Sequence, residues 1–523
     1  MLDGRRPALM PWPVVVVGAA LALGVLVPLV LSVLSGSISL PHNDAWAHSL
    51  IAQNYANGNG IELVGWNRTA LVGQIVVLGP LGASITAQQA AMAVLGLVGL
   101  MATYDVARHH VTALSAAWVT LTVAAVVEYG LLSTSFMSDM PAFAGSMVSL
   151  ACGQRAYRST GRWWAWWLAA MIAVGWAVTV REQSAIVLVV LLILAGRTWS
   201  GRQRTVAFAV GAVLVVSLVC FEMWRRGLPY SDSPTPGFHP DAGLRVVTPL
   251  LLTVGLSLAP VSFVVATPRQ WRLRSWIGAA LALVVTGVPT WGNTAQLLGN
   301  YLDPRGAYAA AALGTRSVLG APLWWALVGV ALVSLAIITG EALRAARSFL
   351  GWDAPSLVAV LVLVATLGQA TLGQSVFARY LLLAFPCVAI LLLRAVPTRR
   401  WALGAVPLVL MAGVTLTLTS NALAFDAARW STAEHLVAAG VPASDINAGL
   451  EWVGYHASTP ATPTRRSVRP RGWWMSLFPA SRECWLVAAS PLPGLEPTSI
   501  VDYPSYVVAG TSSLYVYRND ACS

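Results

Sequence analysis

The sequence predicts an all-α polytopic membrane protein with a small α/β domain at its carboxyl end. The chain is 57% hydrophobic and only 10% charged, and its mean hydropathy is +0.68. Stretches of roughly 20 residues without charge, the length that crosses a bilayer, recur along it. The tail is less apolar and shows short alternating segments. This composition excludes a soluble globular protein.

Apolar runs bounded by charge, Pro or Gly predict about 13 transmembrane helices, because roughly 20 residues cross the hydrocarbon core. The predicted spans lie near residues 11–35, 86–106, 112–131, 140–156, 162–179, 184–196, 205–222, 246–267, 275–292, 322–340, 355–374, 380–396 and 401–420. The first run has no small-x-small cleavage site, so it is interpreted as an uncleaved span and not as a secretory signal. Residues 1–420 are expected to form one membrane domain.

The distribution of arginine predicts the orientation of the chain. With a cytoplasmic amino terminus, the inner loops hold more Arg than the outer loops, which satisfies the positive-inside rule. An odd number of spans then places the carboxyl tail outside. The basic residues are all Arg, which indicates a GC-rich bacterial genome, so we expect the bacterial cytoplasmic (inner) membrane. The net charge of +11 follows from this topology and predicts no nucleic-acid partner.

The tail, residues 421–523, is predicted to be a small extracytoplasmic α/β domain. Residues 427–439 form an amphipathic helical pattern, and alternation predicts short strands at 485–488, 506–508 and 514–517.

Two further features of the tail allow alternative interpretations. The basic, Pro-rich loop at 459–471 is either solvated or in contact with anionic lipid head groups or a phosphorylated carrier. Cys484 and Cys522 both lie in the predicted outer tail, where oxidation is permitted, and could pair.

Acidic residues concentrate in the predicted outer loops. They are Asp44, Glu62, Glu128, Asp139, Glu182, Glu222, Asp232, Asp241 and Asp303. A transporter more often carries ionisable groups near the bilayer midplane, on broken helices related by internal repeats, and this chain shows no clear repeat. The pattern therefore favours an enzyme that works at the outer face.

Three outer clusters supply the candidate site residues. The proposed catalytic residues are Asp44 and Asp139, and the proposed substrate-binding residues are His42, His48, Arg181, Glu182, Arg379 and Tyr380. Each has a simpler interpretation: Asp139 as a helix cap before Pro141, Arg181 with Glu182 as a local ion pair, Arg379 as a snorkelling interfacial residue and the histidines as ordinary loop residues.

Short motifs in the membrane domain resemble those of the GT-C glycosyltransferases. They are Asp44 in the first large outer loop, Ser138-Asp139-Met140-Pro141, which is similar to a Thr-Asp-x-Pro element of the second outer loop, and Arg379-Tyr380-Leu381-Leu382 at the start of a late span. Within this group the chain looks most like bacterial relatives of protein O-mannosyltransferases and lipid A aminoarabinose transferases. Residues 446–456 also resemble a segment that follows the last span in some bacterial members.

The chain departs from the family pattern at two positions. No second acid stands beside Asp44, where mannosyltransferases have an Asp-Glu pair, and Ser138 replaces the more frequent Thr. The first departure leaves the acceptor class and any use of a metal open.

The resemblance implies an inverting transfer of a hexose or pentose from a polyprenyl-phosphate carrier to a glycan, lipid or protein acceptor on the outer face. Asp44 would be the general base, and His42 or His48 would orient it or bind acceptor hydroxyls. Arg181 and Arg379 would hold the phosphate.

Asp139 would hydrogen-bond the sugar or acceptor, or share a divalent cation with Asp44; no nucleotide cofactor is expected. The rival predictions are a transporter or flippase of lipid-linked saccharides and a non-catalytic assembly factor that acts through the tail.

Overall fold

The computed structural model describes residues 12–66, 70–231, 237–290, 297–462, 471–505, 510–519 and 522. Its helices, in chain order, are α1 (Trp12–Leu21), α2 (Val27–Ser35), α3 (Ala45–Ala56), α4 (Val72–Leu78), α5 (Ile85–Arg108), α6 (Ala113–Ala124), α7 (Val127–Leu132), α8 (Asp139–Arg158), α9 (Trp163–Val180), α10 (Ala185–Thr198), α11 (Gly201–Arg226), α12 (Pro240–Ser257), α13 (Ala259–Val265), α14 (Leu273–Thr290), α15 (Ala321–Arg344), α16 (Ala346–Phe349), α17 (Ala354–Thr371), α18 (Ala384–Ala395), α19 (Trp401–Ala438) and α20 (Leu450–Tyr455).

The predicted fold class is confirmed: the chain is an integral multi-pass helical protein. Among the described residues, 8 helices are long and apolar enough to cross a membrane, and α1 and α2 count as one of them because a π-helical turn joins them. Helices α12 and α13 also pass this test together, with a bend of 67° between them, which makes up to 9.

The predicted number of about 13 spans is not confirmed. The four remaining predicted spans coincide with α6, α8, α10 and α18. Three of these helices have only 12 to 14 residues, and α8, with 20, begins on an acid and ends on Arg158. Helices α6, α8 and α18 are buried along most of their length, so they do not need a length or composition that lipid would demand.

Loops from distant parts of the chain meet at one end of the helix bundle, here called the domain end. Leu63 N–H donates to the carbonyl of Pro229, and Leu71 N–H donates to that of Val180. Ala489 N–H, from the carboxyl domain, donates to the Leu313 carbonyl. The loops that were predicted to lie outside are therefore assembled on the side that carries the carboxyl domain.

A four-stranded sheet forms the centre of the carboxyl domain, with strand order β1 (Ile446–Asn447), β2 (Trp485–Ala488), β4 (Gly510–Arg518) and β3 (Ser499–Ser505). Strands β1 and β2 are parallel and the other pairs are antiparallel. The predicted strand at 485–488 is confirmed, and that at 514–517 lies within β4. The predicted strand at 506–508 and most of the basic loop, residues 463–470, lie outside the described residues.

Two links tie the carboxyl domain together and to the bundle. Cys484 and Cys522 form a disulfide with Cα atoms 5.4 Å apart, as the sequence allowed. Helix α19 runs for 38 residues without interruption and contacts β3, where the Phe425 ring lies 6.2 Å from that of Tyr503. It includes the predicted helix at 427–439 and passes through position 420, where the domain boundary was predicted.

Candidate active site

The backbone brings Asp44 to the domain end by a tight turn before α3. Asn43 adopts a left-handed conformation with φ 52°, and Asp44 is the residue before the first turn of α3. The neighbouring Ser135 hydroxyl donates to the carbonyl of His42 at 3.1 Å, which fixes this turn against the segment that leads into α8. Asp44 and Asp139 thus approach each other from different helix starts.

The Asp44 carboxylate is held on both oxygens yet stays accessible. The Trp66 indole N–H donates to Oδ1 at 2.9 Å, and Arg379 Nη2 donates to Oδ2 at 3.3 Å. The side chain is 24% exposed. A carboxylate that is oriented by two donors and still reaches solvent can accept a proton from a bound molecule.

Asp139, in contrast, is 3% exposed and lies between two guanidinium groups. Arg181 Nη1 lies 3.0 Å from its Oδ1, and Arg379 Nε lies 3.6 Å from the same oxygen. Arg379 therefore bridges Asp44 and Asp139. The four groups carry two negative and two positive charges, so each buried charge has a partner, as burial requires.

Arg181 and Arg379 converge because each lies at an interruption between helices. Arg181 ends α9 in an extended conformation, and its Nη1 also donates to Ser138 Oγ at 3.2 Å. Arg379 lies in the 3₁₀ turn Ala378–Leu381 before α18. The Tyr380 ring lies beside both guanidinium groups, at 4.6 Å from Arg181 and 5.6 Å from Arg379. Such cation–π contacts help to keep the charges in a fixed arrangement.

Arg379 keeps its proton although its side chain is buried. Burial alone would lower the pKa of Arg379, but the negative charge of Asp139, with help from Asp44, raises that pKa well above its usual range. Within the described chain, its Nη1 and the Asp139 Oδ2 atom are buried and have no hydrogen-bond partner. Burying polar atoms without partners costs free energy, so these two atoms are well placed to form hydrogen bonds with a ligand.

These side chains line the polar end of a cleft, here called the arginine cleft. Its polar lining includes Asp139, Arg181, Arg379 and Tyr380. Its other walls are mainly apolar and come from α8, α10, α17 and the segment just before α18, with Ala142, Phe143, Ile186, Val362, Leu382 and Leu383. The arrangement fits an amphiphile with an anionic head and a hydrocarbon tail.

The two candidate histidines occupy different surroundings. His48 lies one turn after Asp44 in α3, is buried, and its Nδ1 is 3.1 Å from the Phe136 carbonyl. Burial lowers the pKa of His48, although the nearby Asp44 charge opposes this, so the ring is neutral near pH 7. His42 is also buried, with Nδ1 at 2.7 Å from Asp426 Oδ2 and Nε2 at 3.1 Å from the Ser37 carbonyl. Both of its ring nitrogens are thus occupied by the protein.

Glu182 does not join the other candidates. Its side chain is 46% exposed and lies 3.6 Å from Arg225 of α11, outside the lining of the arginine cleft. The structure therefore brings together Asp44, Asp139, Arg181, Arg379 and Tyr380, places His48 behind Asp44, and leaves His42 and Glu182 in separate contacts.

The described donors do not fit a cation shared by Asp44 and Asp139. No group of three or more His, Cys, Asp or Glu side chains in the described ranges is placed to hold a metal ion. The guanidinium of Arg379 already bridges the two carboxylates. A divalent cation in the same place would bring a second positive charge against this arginine.

Sequence reasoning did not identify several residues that shape the site. Trp66 holds Asp44, and the Tyr301 ring lies 5.7 Å from Arg379. Asp426 and Arg429 form a buried ion pair at 3.0 Å that continues the His42 contact. The spacing of these two charges, i and i+3 after a long apolar run, was visible in the sequence; the partner of Trp66 was not, because it depends on how a loop folds.

No protein-family model and no curated protein matches this chain. Among solved structures, it is similar to the crystal structures of ArnT from Cupriavidus metallidurans, one bound to undecaprenyl phosphate and one in the apo state. In both cases the alignment covers 96% of this chain and 98% of ArnT, with 16% sequence identity and a TM-score of 0.41. ArnT is a GT-C lipid A aminoarabinose transferase, one of the groups that the sequence motifs resemble.

Proposed function

We propose that this protein is an inverting glycosyltransferase that moves a sugar from a polyprenyl-phosphate carrier to an acceptor on the outer face of the membrane. One observation carries the proposal: an accessible, doubly oriented carboxylate, Asp44, shares Arg379 with the polar end of a cleft that has apolar walls. A base, an anion-binding group and a lipid-compatible groove are the parts that such a transfer needs.

The arginine cleft is the proposed donor site. Arg181 and Arg379 offer planar guanidinium donors, which suit phosphate oxygens and stay charged when buried. The apolar walls from three helices and from the segment before α18 would accept the first isoprenoid units of the carrier. A soluble nucleotide sugar would leave these walls unused, so the proposal includes no nucleotide cofactor.

The reaction follows from the placement of the two kinds of group. Asp44 removes the proton from an acceptor hydroxyl as its oxygen attacks the anomeric carbon. The bond between this carbon and the phosphate oxygen breaks on the opposite face, and the lipid phosphate leaves with the electron pair. Arg379 and Arg181 stabilise the negative charge that develops on the leaving oxygen. Asp139, buried between both arginines, is a positioning residue in this scheme.

The location of the site on the outer face is supported by the carboxyl domain. The carboxyl domain, which carries the Cys484–Cys522 disulfide, packs on α3 close to Asp44, with the Phe478 ring 5.7 Å from that of Trp46. Structural disulfides persist in oxidising compartments and are rare in the bacterial cytoplasm. An outer location also fits the excess of Arg in the opposite loops.

Sugar transfer from synthetic donors tests the proposal. Purified protein in liposomes would be given a panel of polyprenyl-phosphate donors with labelled hexoses and pentoses, and release or transfer of label would be measured. We expect Asp44→Asn to lower the rate by about 10²–10⁴-fold, the usual contribution of a general base. Asp241→Asn is the matched control, because Asp241 is exposed and pairs only with Arg245 in the described structure.

Two results would contradict the proposal. Unchanged turnover in Asp44→Asn would remove the base assignment. Absence of turnover for every donor, together with movement of labelled carrier across the bilayer in wild type and variant alike, would instead favour a flippase of lipid-linked saccharides.

A further inference from the structure

His42 holds the turn that carries Asp44. Its carbonyl accepts from the Ala45 N–H and from the Ser135 hydroxyl, each at 3.1 Å. The bond from Ala45 closes a four-residue turn in which Asn43 and Asp44 are the central residues. The backbone position of Asp44 therefore depends on where His42 is fixed.

This turn needs support from its surroundings. Asn43 has a φ of 52°, and strained conformations of this kind persist only where neighbouring groups hold them. The Asn43 amide donates to the Tyr301 hydroxyl at 3.4 Å, which is a long hydrogen bond. The His42 ring is 1% exposed and makes two shorter contacts, so it is the main anchor of the turn.

Both contacts of the His42 ring are with groups that accept hydrogen bonds. Nδ1 lies 2.7 Å from the Asp426 carboxylate, and Nε2 lies 3.1 Å from the Ser37 carbonyl. Asp426 is held as a carboxylate by the guanidinium of Arg429, which donates to its other oxygen at 3.0 Å. A carbonyl and a carboxylate can only accept. Both contacts are therefore hydrogen bonds only if each ring nitrogen carries a proton.

Charges of both signs surround this ring. Asp426, Arg429 and Glu451 are each at most 2% exposed, and the partly exposed Arg316 adds a positive charge that acts on Asp426. The sum of these charges does not fix the protonation of His42, but the two hydrogen bonds do. A neutral ring would turn a lone pair toward a buried acceptor, where water cannot replace the lost bond.

The same ring is tied to the carboxyl domain by direct contacts. Arg429, which holds Asp426, also donates to Glu451 of α20 at 2.9 Å. Gly449, just before α20, has a φ of +98°, and a Cβ atom there would lie 2.0 Å from Arg429 Nη1. Glycine thus allows α20 to approach the guanidinium closely. An unbroken chain of contacts runs from α20 through Arg429 and Asp426 to His42.

We propose that His42 is doubly protonated and that, in this form, it is the positioning residue through which the carboxyl domain holds Asp44 in place. The inference rests on the proposed transfer reaction, because it gives the carboxyl domain a role in that reaction. One N–H of the imidazolium fastens the turn to α19, and the other fastens it to the Ser37 carbonyl at the end of the first span. His42 itself touches no reacting atom.

¹⁵N NMR on the full-length protein in nanodiscs tests the protonation at about pH 7. His42 is the only His that is followed by Asn in the sequence, so ¹³C,¹⁵N-His together with ¹⁵N-Asn assigns its ring without any substitution. We expect both ring nitrogens to carry a proton in the wild type. In Asp426→Asn, where the negative charge is lost, we expect one of them to be bare. A bare nitrogen in the wild type overturns the proposal.

Donor turnover by the same preparations tests the positioning. Asp426→Asn should lower kcat by about 10–100-fold, because a displacement of roughly 1 Å at a reacting group costs up to about 10²-fold. The KM for the donor should change by less than about twofold, since the proposed phosphate ligands are not moved. Arg482→Gln is the matched control and should keep kcat. It breaks another ion pair of the carboxyl domain, in which Arg482 is 63% exposed and Asp445 10%, outside the chain of contacts to His42.

The outcomes separate this inference from the proposed function. An unchanged kcat in Asp426→Asn, an equal loss in Arg482→Gln or a rise in donor KM alone overturns the positioning role and leaves the transferase standing. Glu451→Gln breaks the chain one contact further away and keeps the test decisive if Asp426→Asn does not fold. No turnover by the wild type removes the transfer reaction, and the positioning role with it.

Discussion

At the scale of single residues, the arrangement of the candidate site depends on an arginine that contacts two carboxylates. Arg379 contacts Asp44 and Asp139 and is packed among Tyr301, Phe377 and Tyr380. A planar guanidinium can donate in several directions at once, whereas the ammonium group of lysine is a point charge.

Arg379→Lys is therefore expected to impair transfer although the charge is kept. Lysine cannot bridge both carboxylates and also reach a phosphate, so we expect the rate of sugar release to fall by about 10²–10³-fold, as for loss of one preorganised donor. Steady-state kinetics with the active donor measures this. Arg226→Lys, at a side chain that is 66% exposed, should stay near wild type. A loss below threefold in Arg379→Lys would contradict the assigned role.

Trp66 orients Asp44 through a hydrogen bond from its indole N–H. The effect of this hydrogen bond can be measured separately from the packing of the Trp66 ring. Trp66→Phe keeps an aromatic ring but removes a hydrogen bond to a charged group, which is worth about 1.5–3 kcal/mol. We expect the transfer rate to fall by roughly 10–100-fold. Trp473→Phe is the control: Trp473 packs against Trp66 at 5.8 Å, but its N–H donates to the Ala310 carbonyl. Equal losses in both variants would show that ring packing matters and the N–H does not.

At the scale of secondary-structure elements, the sequence predicted the helices better than the loops. Every span predicted from an apolar run coincides with a helix of the structure. Such runs can be recognised locally, because a membrane helix needs a continuous apolar stretch. The span count was not confirmed, since α6, α10 and α18 are too short to qualify alone. The contact of Trp66 with Asp44 depends on long-range folding of a loop, which local patterns do not encode.

Two glycines, Gly60 just before the loop at residues 61–66 and Gly65 within it, offer a test at this scale. They differ in how much space a side chain would find. Gly60 and Gly65 both have positive φ, at +78° and +74°, but a Cβ atom meets open space at Gly60 and the Ala461 carbonyl at Gly65. Alanine at either position carries the backbone cost of about 1–3 kcal/mol. Gly65→Ala adds a collision that displaces the loop and Trp66.

We therefore expect Gly65→Ala to lower both the thermal midpoint and the transfer rate more than Gly60→Ala does. Thermal unfolding in detergent and donor turnover measure the two effects. Indistinguishable behaviour of the two variants would mean that the loop is not held by the carboxyl domain.

At the scale of the whole molecule, a buried charge network joins the membrane helices to the carboxyl domain. Arg429 of α19 donates to Asp426 at 3.0 Å and to Glu451 of α20 at 2.9 Å, and Asp426 also contacts His42. Burial raises the pKa of Glu451 to about 7, although Arg429 opposes this shift. The network links the turn before Asp44 with the carboxyl domain.

The raised pKa of Glu451 predicts how stability depends on pH. A carboxyl group with a pKa near 7 when folded and about 4.5 when unfolded binds more protons in the folded state between these values. Its contribution is complete below pH 4.5 and is lost as pH rises through 7. We expect the thermal midpoint of the wild type to decline between pH 5 and pH 8, and Glu451→Gln to flatten this decline, as measured by thermal unfolding across that range.

Glu434→Gln is the matched control, because Glu434 is exposed on α19. It should keep the wild-type slope. Parallel pH curves for the wild type and Glu451→Gln would show that Glu451 does not change its protonation in this range.

Because α19 is unbroken, it fixes both the rotation of the carboxyl domain about the helix axis and its position along that axis. At about 1.5 Å per residue, its 38 residues extend for roughly 57 Å, well beyond the hydrocarbon thickness of about 30 Å. Each residue also turns the helix by about 100°. Insertion of one residue before Asp426 would swing Asp426 and Arg429 away from His42 and Glu451. An insertion or deletion in this part of α19 would therefore keep these contacts only if it also kept the angular position of Asp426 and Arg429 around the helix axis.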